Sequence, residues 1–180
     1  MMRRKARQPG LRTNAKLHER CAVLAEVVRA IKPIYNSPHA THNQRQLLET
    51  MIGAAIWYLP QPNKLWTGKL SLKAAEALNA KKPVTKDHEY PRKVAARELL
   101  SKLPSELTAE VIYALYCEKF GRFNLITREE NRKLMQYQRV ENFVNTETSY
   151  EKAGIRLVDV QDLEVAIRDR VPRSPGIRDG

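Results

Sequence analysis

Long apolar runs are missing from this sequence. The longest, Met51 to Leu59, is nine residues, far short of the roughly 20 that cross a bilayer, so no membrane span is expected. Cysteine is scarce, with Cys21 and Cys117 standing 96 positions apart. That spacing excludes a disulfide framework and a Cys-based zinc site. The opening MMRRKARQPGLR is basic with no apolar stretch behind it, unlike a secretory signal. There is no Walker loop, dinucleotide fingerprint or G-x-S-x-G elbow, and no internal repeat stands out. The expectation is an intracellular, cytoplasmic protein.

What is abundant is positive charge. The chain has 180 residues, 42% hydrophobic and 29% charged, which suits one domain, with or without an appendage. Lys and Arg number 32 against 20 Asp and Glu, a net charge of +12. Such an excess points to a polyanionic partner, nucleic acid before an anionic membrane surface. Half of it lies in residues 1–20, where seven basic side chains face one acid, Glu19. That stretch reads as an arm that tracks phosphate.

The periodicity predicts a mostly α-helical α+β protein. Leu17, Cys21, Leu24, Val27, Val28 and Ile31 recur at helical spacing up to Pro33. Thr41 and Gln44 form a capping box for a second helix ending at Pro60. A loop with Pro62, Asn63 and Gly68 follows, then a short helix from Ser71 to Lys81. Proline-bracketed Pro83 to Pro91 reads as extended. Helices are expected over Arg92 to Lys102 and Glu106 to Phe120, and a strand over Arg122 to Ile126. Thr127 and Glu130 cap a helix through Leu134, Met135 and Val140. A helix to Gly154, an extended Ile155 to Val158 and a short helix from Val160 to Arg170 complete the reading. The implied organisation is a basic arm (1–13), a helical region (14–82), a strand-strand-helix core with a helical insertion (83–140), a small α/β extension (141–170) and a tail (171–180).

Within that core, Asp87-His88 ends one strand and Asn131 sits in the first turns of the capped helix. Phosphodiester hydrolysis needs a base for water and a cation against the phosphate oxygens. Imidazole titrates near neutral pH, so His88 suits the first task. Asp87 and the Asn131 amide carbonyl offer hard oxygens to a Mg²⁺-type ion that keeps several waters.

These residues resemble a known family. Val84-Thr85-Lys86-Asp87-His88-Glu89-Tyr90-Pro91 resembles the D-H-x-x-P signature of HNH (ββα-metal) endonucleases. Asn124-Leu125-Ile126-Thr127-Arg128-Glu129-Glu130-Asn131-Arg132-Lys133-Leu134 resembles their closing strand and helix, in an HNN-like variant. The resemblance covers roughly residues 83–135. It implies a ββα-metal core, with His88 as general base and Asp87 and Asn131 holding one Mg²⁺ or Mn²⁺. Asn124 would be the middle Asn that braces the loop carrying the base. It stands seven residues before Asn131, and the commoner count of nine reaches Arg122. About 30 residues separate the two halves, and the zinc-binding cysteine pairs of many members are missing.

Arg92, Lys93, Arg97, Arg122, Arg128, Arg132 and Lys133 flank these motifs as candidate contacts to a nucleic-acid backbone. Singly, each reads better as a solvated cation paired with a neighbouring acid. His39 and His42 lack the further ligands of a metal site. Trp57, Tyr58 and Trp66 suit packing before base stacking, and Tyr113 and Tyr116 read as packing. The expected function is metal-dependent endonucleolytic cleavage of DNA, with RNA possible. The alternatives are a non-catalytic DNA- or RNA-binding protein and an assembly protein answering an acidic partner. A homodimer is possible, but no heptad or long apolar stripe announces one.

Overall fold

The computed structural model describes residues 9–162, and the fold is α+β and mostly helical. Arg3, Arg4, Lys5 and Arg7 of the basic arm, the helix expected beyond Asp162 and the tail lie outside the described residues. Helix α1 (Pro9–Tyr35) begins inside the arm expected over 1–13 and runs through Pro33. Pro33 is only two residues from the helix end, so it removes one hydrogen bond without stopping the helix. Arg45 then closes that end, donating Nε to the Tyr35 carbonyl and Nη2 to the Ser37 carbonyl, both at 3.1 Å.

Helix α2 (His42–Trp57) starts from the Thr41–Gln44 capping box and ends before the expected Pro60. Helix α3 (Leu72–Asn79) is capped by the Ser71 hydroxyl, and α4 spans Arg92–Ser101. Helix α5 (Ala109–Leu115) continues as one π-helical turn over Tyr116–Phe120. Helix α6 (Arg128–Leu134) has the Thr127–Glu130 box at its start. It ends at Leu134, short of Val140, and the chain then turns. Helix α7 (Thr146–Lys152) follows. Among the described residues no helix is long and apolar enough to cross a membrane.

Strands β1 (Trp66–Ser71), β2 (Thr85–His88), β3 (Phe123–Ile126) and β4 (Leu157–Asp159) form one sheet in the order β2-β3-β1-β4. β2 runs antiparallel to β3, β3 parallel to β1, and β1 antiparallel to β4. The segment expected to be a loop around Gly68 is thus an inner strand. Gly68 adopts a φ of +82° where the register with β3 shifts. A glycine that reads as punctuation here makes a bulge within a strand.

The helices pack into one large core. Leu17, Cys21, Leu24 and Val28 of α1 meet Ile52 and Ile56 of α2, Leu99 and Leu100 of α4, and Ile112, Tyr116 and Phe120 beyond. Two buried charges tie this layer together. Lys32 donates to the carbonyls of Leu100 and Lys102 at the end of α4, where a cation suits the helix dipole. Glu49 accepts from Tyr35 Oη and Arg97 Nε, each at 2.9 Å. The sheet side holds two smaller apolar clusters, around Leu70 and around Ile126 and Leu134.

Candidate active-site cleft

Strand-strand-helix order alone would bring the end of β2 beside α6, and it does. The β2–β3 register pairs Asp87 with Asn124 and His88 with Phe123. One cleft of about 750 Å³ is lined by Asp87, His88 and Asn131. Gly53, Ala54 and Trp57 of α2 form one wall, and Asn131 with the turn from Met135 to Glu141 forms the other. Lys86, Arg92, Lys93 and Arg139 bring four cations to it, against the acids Asp87 and Glu141.

His88 is oriented by the main chain. Its Nδ1 lies 3.1 Å from the Phe120 carbonyl. A carbonyl only accepts, so Nδ1 carries the proton and Nε2 keeps a lone pair. The carbonyl is presented where the π-helical turn ends at Gly121. There a Cβ would lie 2.8 Å from the Tyr116 ring and from Leu65 Cδ1, so glycine alone fits the approach. Trp57 packs 5.1 Å from the imidazole, and the Arg92 guanidinium lies 3.5 Å over the indole. Burial above all, with the charges of Arg92 and Lys86, holds His88 below the ordinary imidazole value of 6.5, against the bond to Phe120. At pH 7 it is neutral and basic.

Asp87 is buried at 5% exposure. Tyr150 Oη donates to its Oδ2, and Gln138 Nε2 reaches Oδ1 at 3.3 Å and Oδ2 at 3.2 Å. No Lys or Arg pairs with it among the described residues. Burial therefore pushes its pKa up to about 6, partly offset by the Tyr150 and Gln138 bonds, and the charge of Glu89 adds to the rise. The Asn131 amide, facing the same cleft, has no hydrogen-bond partner among the described residues.

A buried carboxylate without a counter-charge and an amide without a partner, both among the described residues and both lining one cleft, suit a hard cation completed by water and substrate. They do not suit a closed metal centre, since among the described residues no three His, Cys, Asp or Glu gather into one.

The expected backbone contacts divide. Arg92 and Lys93 line the cleft at the start of α4, whose Pro91 cap leaves the first N–H groups without a side-chain acceptor. Two cations there oppose the helix dipole unless an anion joins them. Arg97 instead grips Glu49 with Nε and Nη2, and Arg122 pairs with Glu89 at 3.0 Å. Lys133 pairs with Glu129 at 3.0 Å, one turn away on α6. Arg128 and Arg132 are exposed and outside the cleft. His42 contacts Gln46 at the start of α2.

Asn124 is fully buried, and among the described residues none of its side-chain hydrogen bonds reaches the loop after His88. It accepts from Thr67 and donates to Tyr150. That loop is held by the main chain of Arg122, whose carbonyl accepts from Glu89 N at 3.0 Å, and by Thr146 Oγ1, which donates to the Glu89 carbonyl at 2.6 Å. Sequence reasoning missed Lys86, Gln138 and Arg139 as cleft residues. Lys86, beside Asp87 in the motif, was open to inspection; the other two sit in a stretch whose helical pattern hides the turn.

No protein-family model, no curated protein and no solved structure matches this chain. The cleft must speak through its own chemistry.

Proposed function

We propose that this chain is a metal-dependent HNH-like endonuclease that hydrolyses DNA phosphodiester bonds. The observation that carries the reading is the convergence of Asp87, His88 and Asn131 on one cation-lined cleft. His88 Nε2, its tautomer set by the Phe120 carbonyl, takes a proton from the attacking water. Asp87 and Asn131 would hold one Mg²⁺ or Mn²⁺. Such an ion neutralises charge developing on the phosphate and leaving oxygens. Lys86, Arg92, Lys93 and Arg139 bind the flanking backbone, with Arg able to grip phosphate through two donors.

The test is incubation of the protein with supercoiled plasmid and Mg²⁺, Mn²⁺ or EDTA, beside His88→Ala. Metal-dependent nicking or linearisation is expected, lost in the variant while DNA binding is kept. Cleavage by His88→Ala at the unmutated rate would remove His88 as the base. Activity should persist through the ordinary imidazole value of 6.5 and fall only at lower pH, where protonation of the downward-shifted His88 removes the Nε2 lone pair.

A non-catalytic DNA- or RNA-binding module is the rival reading, favoured by Gln138, whose amide already engages Asp87. Binding that weakens steeply with salt and ignores chelators, without cleavage, would select it.

A further inference from the structure

We propose that Tyr150, on α7, is a positioning residue for Asp87, fixing Oδ2 so that Oδ1, whose one hydrogen-bond partner among the described residues is the Gln138 amide, can be taken by a divalent cation in the cleft. The inference rests on the nuclease reading and extends its site to a segment beyond the strand-strand-helix unit.

Four side chains from four elements form one chain of hydrogen bonds. Tyr150 Oη donates to Asp87 Oδ2 and accepts from Asn124 Nδ2 at 3.2 Å. Asn124 Oδ1 accepts from Thr67 Oγ1, which in turn accepts from Lys69 N at 3.1 Å in the bulge of β1. Every direction follows from the ends. A carboxylate only accepts, so Tyr150 donates, Asn124 turns its NH₂ towards Tyr150, and Thr67 must donate to the remaining oxygen. Tyr150 is 4% exposed and Asn124 0%. Phenylalanine would fill the same apolar space, and a buried hydroxyl persists at no cost only when satisfied.

The two partners of Asp87 stand on different sides. Gln138 lines the cleft together with Asp87 and Asn131. Tyr150 does not; it borders a separate cavity with Glu147 and Arg156. Tyr150 therefore orients the carboxylate from behind, while Gln138 occupies the side from which a cation arrives. Removing one should weaken metal binding, and removing the other should not.

The experiment is calorimetric titration of the full chain with Mn²⁺, beside the Mn²⁺ dependence of plasmid nicking and the urea unfolding midpoint. Tyr150→Phe is expected to weaken Mn²⁺ binding about 10-fold or more, the usual effect of losing a group that orients a ligand. Its cleavage rate should recover at saturating Mn²⁺, separating a metal-binding defect from a loss of kcat. Gln138→Ala should bind Mn²⁺ as tightly as the unmutated chain or tighter. Thr67→Val, which frees the far end of the network, should weaken binding less than Tyr150→Phe and carries the test if that variant does not fold. Unmutated affinity in Tyr150→Phe, with only a lower unfolding midpoint, would overturn the positioning role and leave the nuclease reading intact. Weaker binding in Gln138→Ala than in Tyr150→Phe would also overturn it, moving the orienting role to Gln138. Failure of the unmutated chain to bind or cleave with metal would bring down the nuclease reading, and this inference with it.

Discussion

Between α1, α2, α4 and α5 the interior is a continuous set of Leu, Ile and aromatic side chains, with Lys32 and Glu49 as its buried charges. Around the sheet the apolar clusters are small, and Ser71, Asp87, Asn124, Glu130 and Ser149 are buried among them. The helical side supplies stability through apolar area removed from water. The sheet side spends part of its interior on polar groups whose partners must be met one by one. Glu130 meets that demand, accepting from the Ser71 hydroxyl at 2.6 Å and from Thr127 N and Oγ1 at 2.9 Å. Asp87 meets it only in part, with neutral donors and, among the described residues, no cation. The candidate site thus lies on the less self-sufficient side.

Four substitutions would break or sharpen this contrast. Leu100→Ala removes a fully buried side chain from the helical core and should cost about 2–5 kcal/mol of unfolding free energy in urea. A loss below about 1 kcal/mol would mean that the layer repacks and is less tightly built than its burial implies.

Asp87→Asn should have the opposite sign. The folded state raises this carboxyl from 3.8 to about 6, so it holds a proton more tightly than the unfolded chain. Stability therefore falls as pH rises from about 4 to about 6 and is level above. Removing the charge should stabilise the metal-free protein at pH 7 by on the order of 3 kcal/mol, at about 1.4 kcal/mol per unit. It should do little at pH 4. Equal effects at both pH values would show that the carboxylate is not the penalised group.

Gly121→Ala probes the seam between the two sides. Its Cβ would meet Tyr116 and Leu65 at 2.8 Å, and the overpacking should cost about 1–3 kcal/mol. Because Gly121 follows the carbonyl that holds His88, the imidazole NMR titration should shift as well. The smallest effect is expected from Thr127→Ala, which removes the cap of α6 and one donor to Glu130, at about 1 kcal/mol by thermal unfolding.

Some of this was legible before folding. The boxes at Thr41 and Thr127 are contacts between residues three apart, so local sequence specifies them. The strand ending at His88, the starts of α4 and α6, and the mostly helical α+β class followed from the same short-range signals. Strand β1 was not legible, because Gly68 has the same composition signal in a bulge as in a loop. Arg97 looked like a backbone contact because its partner Glu49 is 48 residues away on another helix.

The sequence by itself determined the net charge of +12, the capped helices and the adjacency of Asp87 and His88. Those properties depend on composition or on neighbours within one turn. Tertiary structure alone decided which cations reach the cleft, that Asn124 turns inward, and that Tyr150, 63 positions from Asp87, donates to it. Those outcomes depend on how distant elements pack, and a buried polar group takes whichever partner that packing brings within reach.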